Sequence, residues 1–134
     1  MDISLNIWAI LVCGVGHFLM GALWYSPLLF GKPWALAKGI DMNADDAGAS
    51  PLMYLSGLLV GLVLAAGLAI LLDIAGITIV PAALLFTAIA WLAFLAMPTF
   101  ANAVFGGSYV VWVVDSTYPL VTSLAMSVIL VTWV

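Results

Sequence analysis

A chain of 134 residues with two lysines, no arginine and six acids carries a net charge of −4, and 67% of it is hydrophobic. Charged residues make up 6%, against roughly a quarter in a soluble domain, and mean hydropathy is +1.34, so most of the folded surface has to face lipid. The same balance argues against nucleic acid as a partner, which needs a basic patch, and the lone Cys13 excludes an intrachain disulfide.

The chain opens on Met1-Asp2, without the basic leader of a signal peptide, so the first apolar run, Ile3 to Trp24, reads as a retained span. A bilayer core of about 30 Å takes roughly 20 apolar residues in a helix, and this run has that length. Within it Cys13, His17 and Gly21 share one helical face, a small and polar stripe. Ionisable groups at such depth usually face the bundle interior and mark a pathway or ligand site. The plainer reading is a neutral imidazole spending one hydrogen bond on a neighbouring helix. Cys13 and His17 also have the spacing of two ligands on a helix. No second Cys or His exists to complete a zinc set, and no metal site is expected.

The span gives way to Gly21-Ala-Leu-Trp-Tyr-Ser-Pro-Leu-Leu-Phe-Gly-Lys-Pro-Trp34. Trp24, Tyr25 and Trp34 fit an aromatic belt at headgroup level, and Lys32 suits the phosphates there. Pro27 disfavours helix at Ser26. A short interfacial segment then runs from Pro33 to Lys38 and closes at Gly39. Asp41 to Asp46 reads as a solvated turn without the spacing of a calcium loop, and Ser50-Pro51 supplies an N-cap and a first-turn proline for the next span.

That second span, Leu52 to Leu72, holds no charge but carries Gly57, Gly61, Ala65 and Ala69 at four-residue spacing. Small residues so placed let helix backbones approach closely in lipid, within one chain or between protomers. Asp73 to Gly76 is a tight turn, making the second and third spans antiparallel neighbours. The third span is Ile77 to Met97, with Pro81 near its first turn. Between it and the fourth lies Pro98 to Tyr109, where Asn102 is a capping, turn or ligand-contacting residue.

The fourth span, Val110 to Val134, contains Asp115 and Pro119. Either the helix is continuous and Asp115 is an intramembrane acid, costing ~3 kcal/mol unless paired or hydrated, or the helix begins at residues 115–117 with Pro119 in its first turn. The expected fold is all-α: a single four-span bundle with a short interfacial helix after the first span.

Residues Gly21 to Pro27, Phe30 to Lys32 and Trp34 resemble the signature of a bacterial membrane family catalogued as domain of unknown function 1761, and Asn102 to Gly106 with Tyr118 and Leu120 are similar to its second signature. The resemblance implies a four-helix membrane protein without an established activity, in the bacterial inner membrane, and assigns no role to His17 or Asp115. Three function classes stay open. One is a transporter, channel or small-ligand-binding protein, working as an oligomer and most simply a dimer. The second is an accessory membrane protein without a ligand. The third is an enzyme on a lipid-like substrate, ranked last because so few polar groups are available. The candidate polar site is His17, Asp115, Cys13, Tyr118 and Asn102. No cofactor motif is present in the sequence. Both lysines fall between the first and second spans, so that loop is expected inside and the termini outside.

Overall fold

The computed structural model describes residues 3–43 and 50–134, and among these the chain is all-helical. Five helices follow in order: α1 (Ile7–Trp24), α2 (Gly31–Lys38), α3 (Pro51–Ile74), α4 (Val80–Val104) and α5 (Tyr109–Thr132). All but α2 are long and apolar enough to cross a bilayer, and 18 to 25 residues each rise about 27–37 Å. The protein is therefore a multi-pass membrane protein built as a helical bundle. Of the solvated turn read from sequence at Asp41 to Asp46, the Asp41 side chain accepts from the Asn43 backbone N–H at 2.9 Å, and residues 44–46 lie outside the described segments.

The helix ends follow local chemistry. The Asn6 side chain caps α1, Ser50 caps α3 ahead of Pro51, and Ser108 caps α5. Gly39 and Gly76 end α2 and the α3 turn in left-handed conformation, at φ 69° and 66°.

Helix α5 is the hub: it packs against α1, α2, α3 and α4. A third of its spanning window is buried, against 17% for α4, so α4 presents most of its surface outward. The small-residue face of α3 is spent inside the chain, on α1. Gly61 lies so close to Gly14 that a Cβ on Gly61 would stand 2.4 Å from the Gly14 carbonyl oxygen. Cys13 and Ile10 of α1 join Ala65, Leu68, Ala69 and Leu72 of α3 in the core, with Ala83 and Met126. Between lipid-embedded helices there is little hydrophobic drive, so this close approach holds α1 and α3 through dispersion.

Two features depart from the sequence reading. Although a tight turn joins α3 to α4, the two helices part beyond it. They leave an apolar groove of about 520 Å³ whose wall includes Val63, Gly67, Trp91 and Phe94 and whose lining reaches Pro119 and Ser123 of α5. Helix α4 also does not stop before Pro98. A π-helical segment, Leu92–Ala96, widens the turn so that Met97 N–H reaches Leu92 O, and the chain stays helical through Pro98 to Val104. The Thr99 hydroxyl and the Trp112 indole N–H gather the carbonyl of Ala96 at 3.2 Å each.

Candidate functional site

Helix α5 is continuous through Asp115, so the acid is an intramembrane one, half-buried four residues before Pro119. Pro119 has no N–H to offer the Asp115 carbonyl. Indoles brace the backbone on either side of that acid: Trp24 Nε1 donates to Val114 O at 3.0 Å, and Trp91 Nε1 donates to Ser116 O at 2.7 Å.

The carboxylate itself is clamped at one oxygen. Tyr25 OH donates to Asp115 Oδ1 at 2.7 Å and Trp34 Nε1 donates to the same atom at 2.9 Å. The two rings meet edge to face, 5.1 Å between centroids. Gly31 makes the bend between them possible, since a Cβ there would fall 2.3 Å from the Tyr25 carbonyl oxygen. Burial, and after it the hydrogen bond to Asp115, push the Tyr25 phenol well above its ordinary range, so it remains a donor at any working pH. Lys38 sits over the Trp34 ring, 4.7 Å from its centroid, at the edge of the same cluster. The aromatic residues of the opening stretch, read from sequence as a headgroup belt, thus also form the binding partners of an acid 81 and 90 residues away.

Both donors on Oδ1 are neutral, and among the described residues Oδ2 accepts no hydrogen bond. Asp115 lines a cavity of about 330 Å³ between α4 and α5, together with Thr99, Asn102, Ser108, Trp112 and Ser116. Ser116 is 3% exposed, yet its hydroxyl has no hydrogen-bond partner among the described residues. A buried hydroxyl left unpaired costs about 1–3 kcal/mol, which a ligand accepting or donating there would recover.

His17 occupies a different place. It is 5% exposed, and its Nδ1 lies 2.9 Å from Thr122 Oγ1. The Thr122 hydroxyl also faces the carbonyl of Tyr118 at 3.1 Å. His17 Nδ1 and the Thr122 hydroxyl are hydrogen-bonded, with the direction set by the imidazole tautomer. Tyr118 stacks on the His17 ring at 4.6 Å and donates its hydroxyl to the His17 carbonyl. Gly21 leaves room for that hydroxyl, because a Cβ there would stand 2.6 Å from it.

His17 and Asp115 are therefore not bonded to each other, and Tyr118 and Tyr25, whose rings are 5.7 Å apart, lie between them. Cys13 is buried in the α1–α3 core, apart from both. Asn102 is in the last turn of α4, where its carbonyl accepts from Gly107 N–H at 3.0 Å and it lines the Asp115 cavity. Among the described residues no three His, Cys, Asp or Glu side chains gather as a metal site requires.

Over residues 8–131 the sequence matches the family described as "Protein of unknown function (DUF1761)". The chain belongs to that family. No curated protein and no solved structure matches it. The DUF1761 match runs from the first turn of α1 to the last turn of α5, so the Tyr25–Trp34–Asp115 clamp lies wholly within it.

Sequence reasoning named Asp115, Asn102, Tyr25 and Trp34, but under separate headings. It weighed Ser116 of the DUF1761 chain only as a helix cap and passed over Thr122 and Trp112. Their signal was present: the fourth span carries a run of hydroxyl residues, Ser116, Thr117, Thr122, Ser123 and Ser127, unusual in a lipid-facing helix and mostly buried here.

Proposed function

We propose that this protein binds, and as an oligomer conducts or transports, a small primary ammonium ion at the Asp115 cavity. One observation carries the reading: an intramembrane carboxylate with two neutral donors on one oxygen and, among the described residues, no donor on the other, lining an open cavity beside a buried hydroxyl without a partner among those residues. Such a group is costly in a membrane unless a cation, a proton or water meets it. Its surroundings suit an R–NH₃⁺ group. The carboxylate supplies charge, Ser116 and Asn102 supply acceptors, and the Trp112 indole supplies an apolar wall.

The positive-inside rule supports placing the α1–α3 loop and its two lysines in the cytoplasm, with both termini outside the cytoplasmic membrane. Conduction would require assembly into a homo-oligomer, most simply a two-fold dimer, because one four-span bundle encloses little by itself.

The test is calorimetric titration of the purified full chain in nanodiscs with methylammonium chloride, paired with methylammonium uptake into proteoliposomes. Binding that falls at least tenfold in Asp115→Asn supports the reading. Equal binding in the two proteins, or none in the wild type, overturns it.

A further inference from the structure

A second cavity, of about 380 Å³, opens on the other side of Tyr25, between α1 and α3. Phe18, Tyr25, Tyr54 and Tyr118 line it, with His17 and Ser56. The rings stand in two roughly perpendicular pairs: Phe18 with Tyr54 at 76° and Tyr25 with Tyr118 at 79°, centroids 6.1 and 5.7 Å apart. Perpendicular rings around a void offer π faces in more than one direction, the arrangement that holds a cation by its rounded surface.

Three hydroxyl protons here are already spent, which separates this cavity from the Asp115 one. Ser56 Oγ donates to Met53 O at 2.8 Å, Tyr25 OH to Asp115 and Tyr118 OH to the His17 carbonyl. His17 Nδ1 is engaged with Thr122. No carboxylate of the described residues lines this cavity, so a primary ammonium brought here would find neutral acceptors alone for its N–H donors. A quaternary, fully methylated ammonium has no N–H donor to satisfy. Its charge is spread over methyl groups that pack against rings, and the Asp115 carboxylate stands one hydrogen bond beyond the Tyr25 ring, adding long-range attraction.

Position fits as well. Tyr54 is the fourth residue of α3, about 5 Å along the axis from its start, so the cavity opens near the headgroup level of one leaflet. Tyr54 is 52% exposed and forms the outer wall. Gly57 keeps the floor open, with Phe18 at van der Waals distance from where its Cβ would be.

We propose that the α1–α3 cavity is a binding site for a quaternary ammonium group, held by Phe18, Tyr25, Tyr54 and Tyr118. It stands on the ring geometry and does not depend on amine binding at Asp115.

Tetramethylammonium chloride is titrated against the full chain in nanodiscs of phosphatidylglycerol, with tyrosine and tryptophan fluorescence as the readout and ammonium chloride as the control ion. Wild type is expected to bind tetramethylammonium and not ammonium in this cavity. Tyr54→Ala should weaken binding about tenfold, while Tyr54→Phe, which keeps the ring, should restore it. Both are surface changes that leave the core intact, and unchanged melting temperatures verify that. Tetramethylammonium binding that persists in Asp115→Asn but is lost in Tyr54→Ala separates this site from the Asp115 cavity.

Repeating the titration in phosphatidylcholine nanodiscs identifies the source. Competition by the lipid shows that the natural occupant is a choline headgroup, and undiminished binding shows a free quaternary ammonium ion. Absence of binding to the wild type, or Tyr54→Ala binding as tightly as wild type, overturns the proposal.

Discussion

The clamp on Asp115 has a measurable signature if the group it holds is an ionised carboxylate. Tyr25→Phe removes one donor at 2.7 Å and changes nothing else in shape. A hydrogen bond to a charged acceptor contributes about 1.5–3 kcal/mol and one between neutral groups about 0.5–1.5. Both side chains are only half-buried, which places the expected cost near the lower part of the first range, about 2 kcal/mol. In the Asp115→Asn background the same substitution should cost about 1 kcal/mol, leaving a coupling of about 1 kcal/mol. For a chain of this size each kcal/mol moves the melting temperature by about 4 °C. Tyr25→Phe should therefore melt about 8 °C below wild type, whereas the double variant should lie about 4 °C below Asp115→Asn. Asp115→Asn itself should melt at or above the wild-type temperature, because it removes a charge that is expensive within a span. Thermal unfolding in detergent, followed by intrinsic fluorescence, reads all four proteins. Strict additivity of the two single substitutions would refute the claim that Tyr25 holds a charged acceptor.

Other outcomes follow from the packing. Gly61→Ala sets a methyl 2.4 Å from the Gly14 carbonyl and should cost about 2 kcal/mol in thermal unfolding, whereas Gly67→Ala, with nothing within 4 Å of its Cβ, should melt like wild type. Trp91→Phe breaks the 2.7 Å bond to Ser116 O and should cost about 1 kcal/mol by the same assay. Membrane-impermeant thiol labelling of Asp41→Cys and Thr78→Cys should mark opposite faces of the membrane, cytoplasmic for position 41. Cys13, at 3% exposure, stays silent as a background thiol.

The spans were legible because the requirement is crude: about 20 apolar residues, and little else, identify a helix in lipid. The end of α4 was not. Pro98 reads as a stop when an α-helix is assumed, since it removes an i to i−4 bond. The π segment at Leu92–Ala96 changes that register before the proline arrives, and no residue pattern in Leu-Ala-Phe-Leu-Ala announces it. The turn at Gly76 likewise shows that α3 and α4 are consecutive, but not that α3 spends its small-residue face on α1.

The site was half legible for a similar reason. Cost in lipid singled out His17 and Asp115, and it is a property of one residue at a time. Which groups answer that cost is a property of the assembled bundle. Tyr25 and Trp34 each carry an apolar ring and one donor that needs a partner once partly buried, and Asp115 is the one acid of the described spans that lies away from a helix end, Asp73 being the penultimate residue of α3. Taken together, those two facts point to the clamp; read as a belt, the aromatics conceal it.

The two joints of α1 are built from different materials. Against α3 it relies on Gly14, Gly61 and Ala65, a contact of backbone on backbone that has no intermediate position. Against α5 it relies on side-chain hydrogen bonds concentrated between residues 17 and 25: His17 to Thr122, Tyr118 to the His17 carbonyl, Trp24 to Val114 and Tyr25 to Asp115. In lipid neither joint gains much from the hydrophobic effect, so specificity on the α5 side resides in those bonds. Water or a ligand competes for hydrogen bonds and does not compete for a glycine contact. A cation bound at Asp115 as proposed would act on the joint between α1 and α5 while leaving the α1–α3 contact in place, and Tyr25, which bonds Asp115 and lines the aromatic cavity, would be the residue common to both sites.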